Sequence, residues 1–247
     1  MDRFLRIIPR LDIKSPNLIK GIHLEGLRVV GDPHSRAKNY FAAGADEVLY
    51  VDIVASLYGR NNLVELVRAT AEDVFVPMTV GGGIRSVADA QAGADKIAVN
   101  TAAIRRPELI RELVDVWGSS TVVLSIEAKR DGDRWESFTD NGRERTGRDV
   151  RDWCEEAQVL GVGEILLTSV DREGTRRGFD VDLLDALSDS VRVPLIISGG
   201  FGEVAHALAA IERDIVSAIA IADCLHYDRI TITEIKSALA CRGVRVR

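Results

Sequence analysis

Cysteine is scarce in this sequence. Three residues, Cys154, Cys224 and Cys241, are spread over 247 positions with no CxxC pair, which argues against a disulfide framework and for a reducing compartment. Positive charge is not in excess. The net charge of −6 excludes the electrostatic attraction on which nucleic-acid and anionic-membrane partners depend. No run of about 18 uncharged apolar residues is long enough to span a bilayer. The opening MDRFLRIIPRLD lacks the apolar core of a signal peptide, so a cytoplasmic location is expected. The four histidines, His23, His34, His206 and His226, are scattered without metal-ligand spacing, and neither GxSxG nor GxGxxG appears. Accordingly, no metal and no organic cofactor is expected.

Aromatics are few as well, at 5%, yet 46% of the residues are hydrophobic and 28% charged, ample for a buried core. Short β-branched runs alternate with amphipathic stretches from end to end. LRIIPRLDI, EVLYVDI, VPMTVGGG, KIAVN, TVVLSIEA, GEILLTSV, PLIISGG and AIAIA read as strands. Segments at helical spacing, namely Ser35–Ala43, Asn62–Asp73, Pro107–Val116, Arg148–Leu160 and Val181–Leu187, lie between them. Eight strand–helix units in this length predict an α/β fold, a single (β/α)8 TIM barrel spanning 1–247. A doubly wound open sheet usually needs fewer strands, and no linker divides the chain.

The chain also repeats itself. IIPRLDIK matches VLSIEAKR, YVDIVAS matches TSVDREG, and VGGGI matches SGGFG, at offsets of 115, 119 and 117 residues. A near-constant offset of half the length predicts two half-barrels, roughly 1–120 and 121–247. It places Asp12 and Glu127 at the ends of the first and fifth strands, on opposite sides of the mouth where such barrels do their chemistry. Two partly desolvated carboxylates can divide general acid and general base work. The plainer reading is that each pairs with its neighbour, Lys14 or Lys129.

Gly81-Gly82-Gly83 and Gly199-Gly200 follow the third and seventh strands, where bare backbone N–H groups can approach a phosphate. Asn100 and Thr101 add an amide, a hydroxyl and a helix start after the fourth strand. Two such clusters predict a small-molecule substrate phosphorylated at both ends. Tight βα turns would use the same glycines. Arg143, Arg145 and Arg148, in DNGRERTGRD, read as a solvated loop that could close over an anionic substrate.

RIIPRLDIK, KGIHLEGLRVVGDP, VGGGIRS, GADKIAVNTAAI, EAKRDG, GEILLTSVDREGT and ISGGFG together resemble the cyclase subunit of imidazole glycerol phosphate synthase, over essentially the whole chain. The sister isomerase of histidine biosynthesis matches less well. The resemblance implies a lyase that takes ammonia from a glutaminase partner docked at the amino-terminal face. With it, the enzyme closes an imidazole ring on a ribulosyl bisphosphate, releasing imidazole glycerol phosphate and an aminoimidazole carboxamide ribotide. The resemblance puts the catalytic pair on Asp12 and Glu127 and a lysine on Lys20. It extends substrate contacts to Asp171, Glu173, Gly174, Thr175, Ala222 and Asp223, and an ammonia gate to Arg6, Glu47, Lys96 and Glu164.

Several positions depart from the family pattern. Glu127 and Glu173 stand where the family has aspartate, and Arg10 where a small or thiol residue is common. Asp223 stands where a serine receives the second phosphate, and a carboxylate there repels a dianion unless the backbone turns it away. The segment IRSVADAQAGADK is about one helical turn short, which predicts a truncated helix. These changes leave room for two alternatives. One is a paralogue that channels ammonia for amidation of a surface-polysaccharide sugar. The other is a non-catalytic barrel that binds and activates a glutaminase.

Overall fold

The structure, a computed structural model, describes residues 4–55, 63–91 and 94–247. In chain order the elements are β1 (Arg6–Lys14), β2 (Asn17–Ile22), β3 (Glu25–Gly31), α1 (Pro33–Ala42), β4 (Val48–Asp52), α2 (Val64–Ala71), β5 (Met78–Gly81) and β6 (Lys96–Val99). They continue with α3 (Thr101–Arg105), α4 (Glu108–Trp117), β7 (Val122–Asp131), β8 (Arg134–Thr139), β9 (Glu144–Asp149), α5 (Val150–Val159) and β10 (Glu164–Ser169). The chain ends with α6 (Val181–Leu187), β11 (Leu195–Ser198), α7 (Val204–Ile211), β12 (Val216–Ile221), α8 (Asp223–His226) and α9 (Ile232–Ala240).

Eight of the strands close a parallel barrel. The order is β1, β4, β5, β6, β7, β10, β11, β12 and back to β1, each neighbour parallel. This is the predicted (β/α)8 barrel. Two apolar layers follow from strand alternation. One set of side chains, among them Ile8, Leu49, Val123, Leu166 and Ile196, fills the bore, where small Ala98, Ala218 and Ala220 complete the layer. The other set packs outward against the helices, with Leu109, Ile110 and Leu113 of α4 and Trp153 of α5 fully buried. Helix starts are fixed by side chains. Asp32 caps α1, Asp149 caps α5, and Thr231 with Glu234 forms a capping box on α9. A cap of this kind contributes about 1 kcal/mol.

Four strands lie outside the barrel path, and all serve the mouth. β1 runs past the barrel rim into an antiparallel meander with β2 and β3, and β7 does the same with β8 and β9. The second meander corrects the expectation of a solvated loop at DNGRERTGRD, because Glu144–Asp149 forms β9. Polar residues in a two-sided, half-wet strand leave no hydrophobic alternation to read. Arg148 is not free either, since its guanidinium lies 4.0 Å from the centre of the Trp153 ring. The expected helix from Asn62 begins outside the described residues and is seen as α2. After β5 only a single 3-10 turn at Ala88–Gln91 remains, consistent with the short segment there, and Ala92 and Gly93 lie outside the described residues. No helix among the described residues is long and apolar enough to cross a membrane.

Candidate active site at the barrel mouth

Asp12 and Glu127 occupy equivalent places. Each sits where a barrel strand leaves its parallel neighbour and enters an antiparallel hairpin. Asp12 pairs with Val51 on one side and Ile19 on the other, and Glu127 with Thr168 and Phe138. Backbone pairing on both flanks holds each carboxyl in place. Both side chains are buried, at 3% and 7% exposure. Neither pairs with the lysine two residues on. Lys129 lies over the Phe138 ring instead, and the partner of Asp12 is Arg10, with Nε 2.9 Å from Oδ1.

Arg10 is the group that sequence reading placed in the mouth without giving it a task. From β1 its Nη1 reaches Thr168 Oγ1 on β10 at 2.7 Å and Ser198 Oγ on β11 at 3.3 Å. Burial works against its charge, and Asp12 and Glu173, then Glu127, more than offset it and hold its pKa above the ordinary arginine value. Among the described residues no cation is ion-paired with Glu127. Its Oε2 accepts from the Gly142 N–H at 2.7 Å. Burial pushes its carboxyl up to about 7, opposed by Arg10 and the Gly142 N–H and reinforced by Asp12 and Asp140. A carboxyl poised there can give or take a proton at neutral pH. Lys20, on β2, pairs with Glu173 and donates to the Gly21 carbonyl at 2.8 Å, so it clamps the first hairpin to the loop after β10.

A cavity of about 270 Å³ opens beside Glu127 on the β4–β6 side. Gly82, Gly83, Asn100 and Thr101 line it, with Arg85 and Arg105 among its other lining residues. Gly82 has φ +99°, and a Cβ there would lie 2.3 Å from the Asp52 carbonyl, so only glycine fits. Arg85, Arg105, Asp52 and Asn141 are among the lining residues that were not singled out from sequence. Asp52, at the end of β4, is buried with one oxygen lacking a hydrogen-bond partner, and burial raises its pKa against the N–H groups of Val54 and Ala55. Its place in the repeated YVDIVAS segment was the available signal. Asn141 comes from the second meander, whose existence the sequence concealed.

The second cluster differs. Gly199, Gly200, Ala222 and Asp223 are absent from the lining of that cavity. A Cβ on Gly200 would lie 2.1 Å from the Gly178 carbonyl, so this glycine admits the folded loop after β10. Gly174 likewise lies against the Gly21 carbonyl. Asp223 opens α8, with Arg176 at 3.5 Å and Arg229 at 3.8 Å around its Oδ1. Asp171 and Thr175 line a separate recess with His23 and Arg172, and Asp171 accepts from the Arg130 N–H at 2.8 Å. Asp171 and Thr175, which the resemblance put among the substrate contacts, thus lie apart from the cavity that holds Asn100. The loop folds them outward.

At the opposite end Arg6, Glu47, Lys96 and Glu164 come together as expected. Arg6 lies 2.5 Å from both Glu47 and Glu164, and Lys96 lies 3.2 Å and 2.8 Å from the same two. The result is a closed ring of alternating sign. Phe4, Phe75, Val116, Trp117 and Val159, all exposed, sit in or beside the segments leading into barrel strands at this same end. Among the described residues no group of three or more His, Cys, Asp or Glu is placed to hold a metal.

A family profile described as "Histidine biosynthesis protein" matches residues 6–231. The chain belongs to that family. It is 60% identical over 205 residues to "Imidazole glycerol phosphate synthase subunit HisF" of Legionella pneumophila, covering 81% of this chain and 97% of the relative. Proteins of the same name from Streptococcus sanguinis and Streptococcus gordonii are 46% and 44% identical over 247 residues, 98% of each chain.

Proposed function

We propose that the chain is the cyclase subunit of an imidazole glycerol phosphate synthase, a lyase of histidine biosynthesis that works with ammonia from a glutaminase partner. The observation that carries the reading is the pair Asp12 and Glu127, held at equivalent strand exits across one mouth in a chain that aligns end to end with subunits of that name. The substrate is a ribulosyl bisphosphate. One of its phosphates lies against Gly82, Gly83, Asn100 and Thr101, with Arg85 and Arg105 supplying positive charge. The other is received near Gly199, Gly200, Ala222 and the loop carrying Asp171, Glu173, Gly174 and Thr175. Between them, Asp12 and Glu127 take the proton from the incoming nitrogen and return one to the departing nitrogen. Lys20 holds the first hairpin over this centre.

The partner docks on the face that bears Phe4, Phe75, Val116, Trp117 and Val159. Ammonia enters through the ring of Arg6, Glu47, Lys96 and Glu164. An apolar face of this make-up suits a protein interface better than open water. A second reading, the amidation paralogue, is favoured by one observation. Asp223 puts a carboxylate where the second phosphate must bind, and its own arginine partners compete for that phosphate.

The deciding experiment is turnover of the ribulosyl bisphosphate by the purified chain at alkaline pH, with excess ammonium and no glutaminase. A rate of a few per second or more is expected of a working cyclase. Asp12→Asn and Glu127→Gln should each lower it by about 10²- to 10⁴-fold, with substrate binding largely retained. A folded wild-type protein that turns nothing over would move the assignment to the paralogue.

A further inference from the structure

At the centre of the mouth lie two buried cations, Arg10 and Lys20, and three buried acids, Asp12, Glu173 and Glu127, with buried His226 close to Asp12 and Lys20 and the acids Asp140 and Asp52 on the Glu127 side. Each cation is claimed at close range by one acid, Arg10 by Asp12 and Lys20 by Glu173. Glu127 is left over, with a single backbone N–H on its carboxyl. A third full negative charge in this site would be uncompensated, and an uncompensated buried charge costs several kcal/mol unless it is discharged by a proton.

The two acids look interchangeable from their places in the half-barrel repeat. Arg10 breaks that equivalence. Its counterpart by the same repeat is Ser125, which carries no charge. The guanidinium is fixed on three sides, by Asp12, by Thr168 and by Ser198, so it cannot swing to serve Glu127 in the same way.

We infer that Arg10 is a positioning residue that assigns the two carboxyls opposite duties, keeping Asp12 charged as the proton acceptor and leaving Glu127 to hold the proton as the donor. The inference rests on the proposed acid/base role of the pair and says which member does which. The charged groups facing Glu127 are Arg10 and Asp12 from β1 and Asp140 from the turn between β8 and β9. Lys20 and Glu173 neutralise one another beyond Arg10. Asp52, another acid lining the same cavity, has one oxygen without a hydrogen-bond partner among the described residues, and a negative charge there favours the proton on Glu127.

The pH dependence follows with a definite sign. The working form has Asp12 ionised and Glu127 protonated. Activity is lost on the acid side when Asp12 takes a proton, and on the alkaline side when Glu127 gives one up near pH 7. Removing the positive charge of Arg10 favours the protonated form of both acids. Both limbs of the profile should therefore move to higher pH.

The first test needs no turnover. Carbon-13 NMR titration of the carboxyl groups in the ligand-free wild-type protein, with the Glu127 signal assigned by Glu127→Gln, should show Glu127 titrating near neutrality. A Glu127 already ionised well below neutrality would overturn the assignment. Arg10→Met should then raise the Glu127 titration by about one pH unit or more and move both limbs of the kcat profile the same way, with KM changed less than kcat. Arg10→Lys, which keeps the charge, should leave the limbs near their wild-type positions. A merely structural Arg10 would lower the amount of active protein and leave the limbs where they were, and that result in Arg10→Met would also overturn the inference. If Arg10→Met does not fold, the wild-type titration and Arg10→Lys decide it. Failure of the wild-type chain to act on the ribulosyl bisphosphate would count against the proposed function, whereas the carboxyl titration is read independently of it.

Discussion

The two ends of the barrel carry buried charge in opposite ways. At the bottom, two cations and two carboxylates alternate in a closed ring, and every member touches two of opposite sign. At the mouth, Arg10 is taken by Asp12 and Lys20 by Glu173, and Glu127 is met by a backbone N–H instead. In a balanced ring every charge is compensated by its neighbours. An uncompensated buried carboxyl such as Glu127 has its affinity for a proton raised, to about pH 7 here, where a proton can be exchanged. The comparison teaches that charge count, more than burial, separates a stabilising network from a reactive one in this molecule.

Removal of single charges should break the comparison in opposite directions. Lys96→Met leaves two buried carboxylates sharing Arg6, and should destabilise the fold by roughly 3 to 4 kcal/mol, measured by urea denaturation. Glu127→Gln should do the reverse. Because the folded pKa of Glu127 lies above its unfolded value, its stabilising contribution is full below about pH 4.5 and is lost as pH rises toward 7. The neutral variant escapes that loss, and should gain on wild type from pH 5 upward, by roughly 2 to 3 kcal/mol at pH 8. Equal stability of the two proteins at pH 5 and pH 8 would remove the claim of a protonated Glu127. The smallest effect concerns Asp223. Asp223→Ser frees Arg176 and Arg229 and removes a like charge, so a bisphosphate ligand should bind about tenfold tighter by calorimetry. Unchanged affinity would mean that the second phosphate binds elsewhere.

Much of this was legible in the sequence because it is periodic. Apolar runs such as VVLSI mark strands whatever follows, and the half-length repeat places Asp12 opposite Glu127 without any coordinates. The ring residues lie at or just before strand starts, where in-out alternation points them into the bore. What escaped was made by polar strands or long reaches. RWESFT and ERTGRD have no one-sided apolar face, so the second meander, and with it Asn141 and the Gly142 N–H, could not be foreseen. The tie from Lys20 to Glu173 spans 153 positions, and that from Arg10 to Ser198 spans 188. Asp171 aligns with Asp52 in the repeat, yet it lines a separate recess, because the loop after β10 is held by the Gly178 N–H to the Gly200 carbonyl.

The junctions at Asp12 and Glu127 have a consequence for how such a protein changes over generations. Each acid is anchored by the barrel below it, while the hairpin above begins only at its other edge. A hairpin can therefore be lengthened, recoloured in charge or exchanged for another without shifting the acid beneath. New specificities can be tried in the overhanging part while the inherited reactive groups stay where they are.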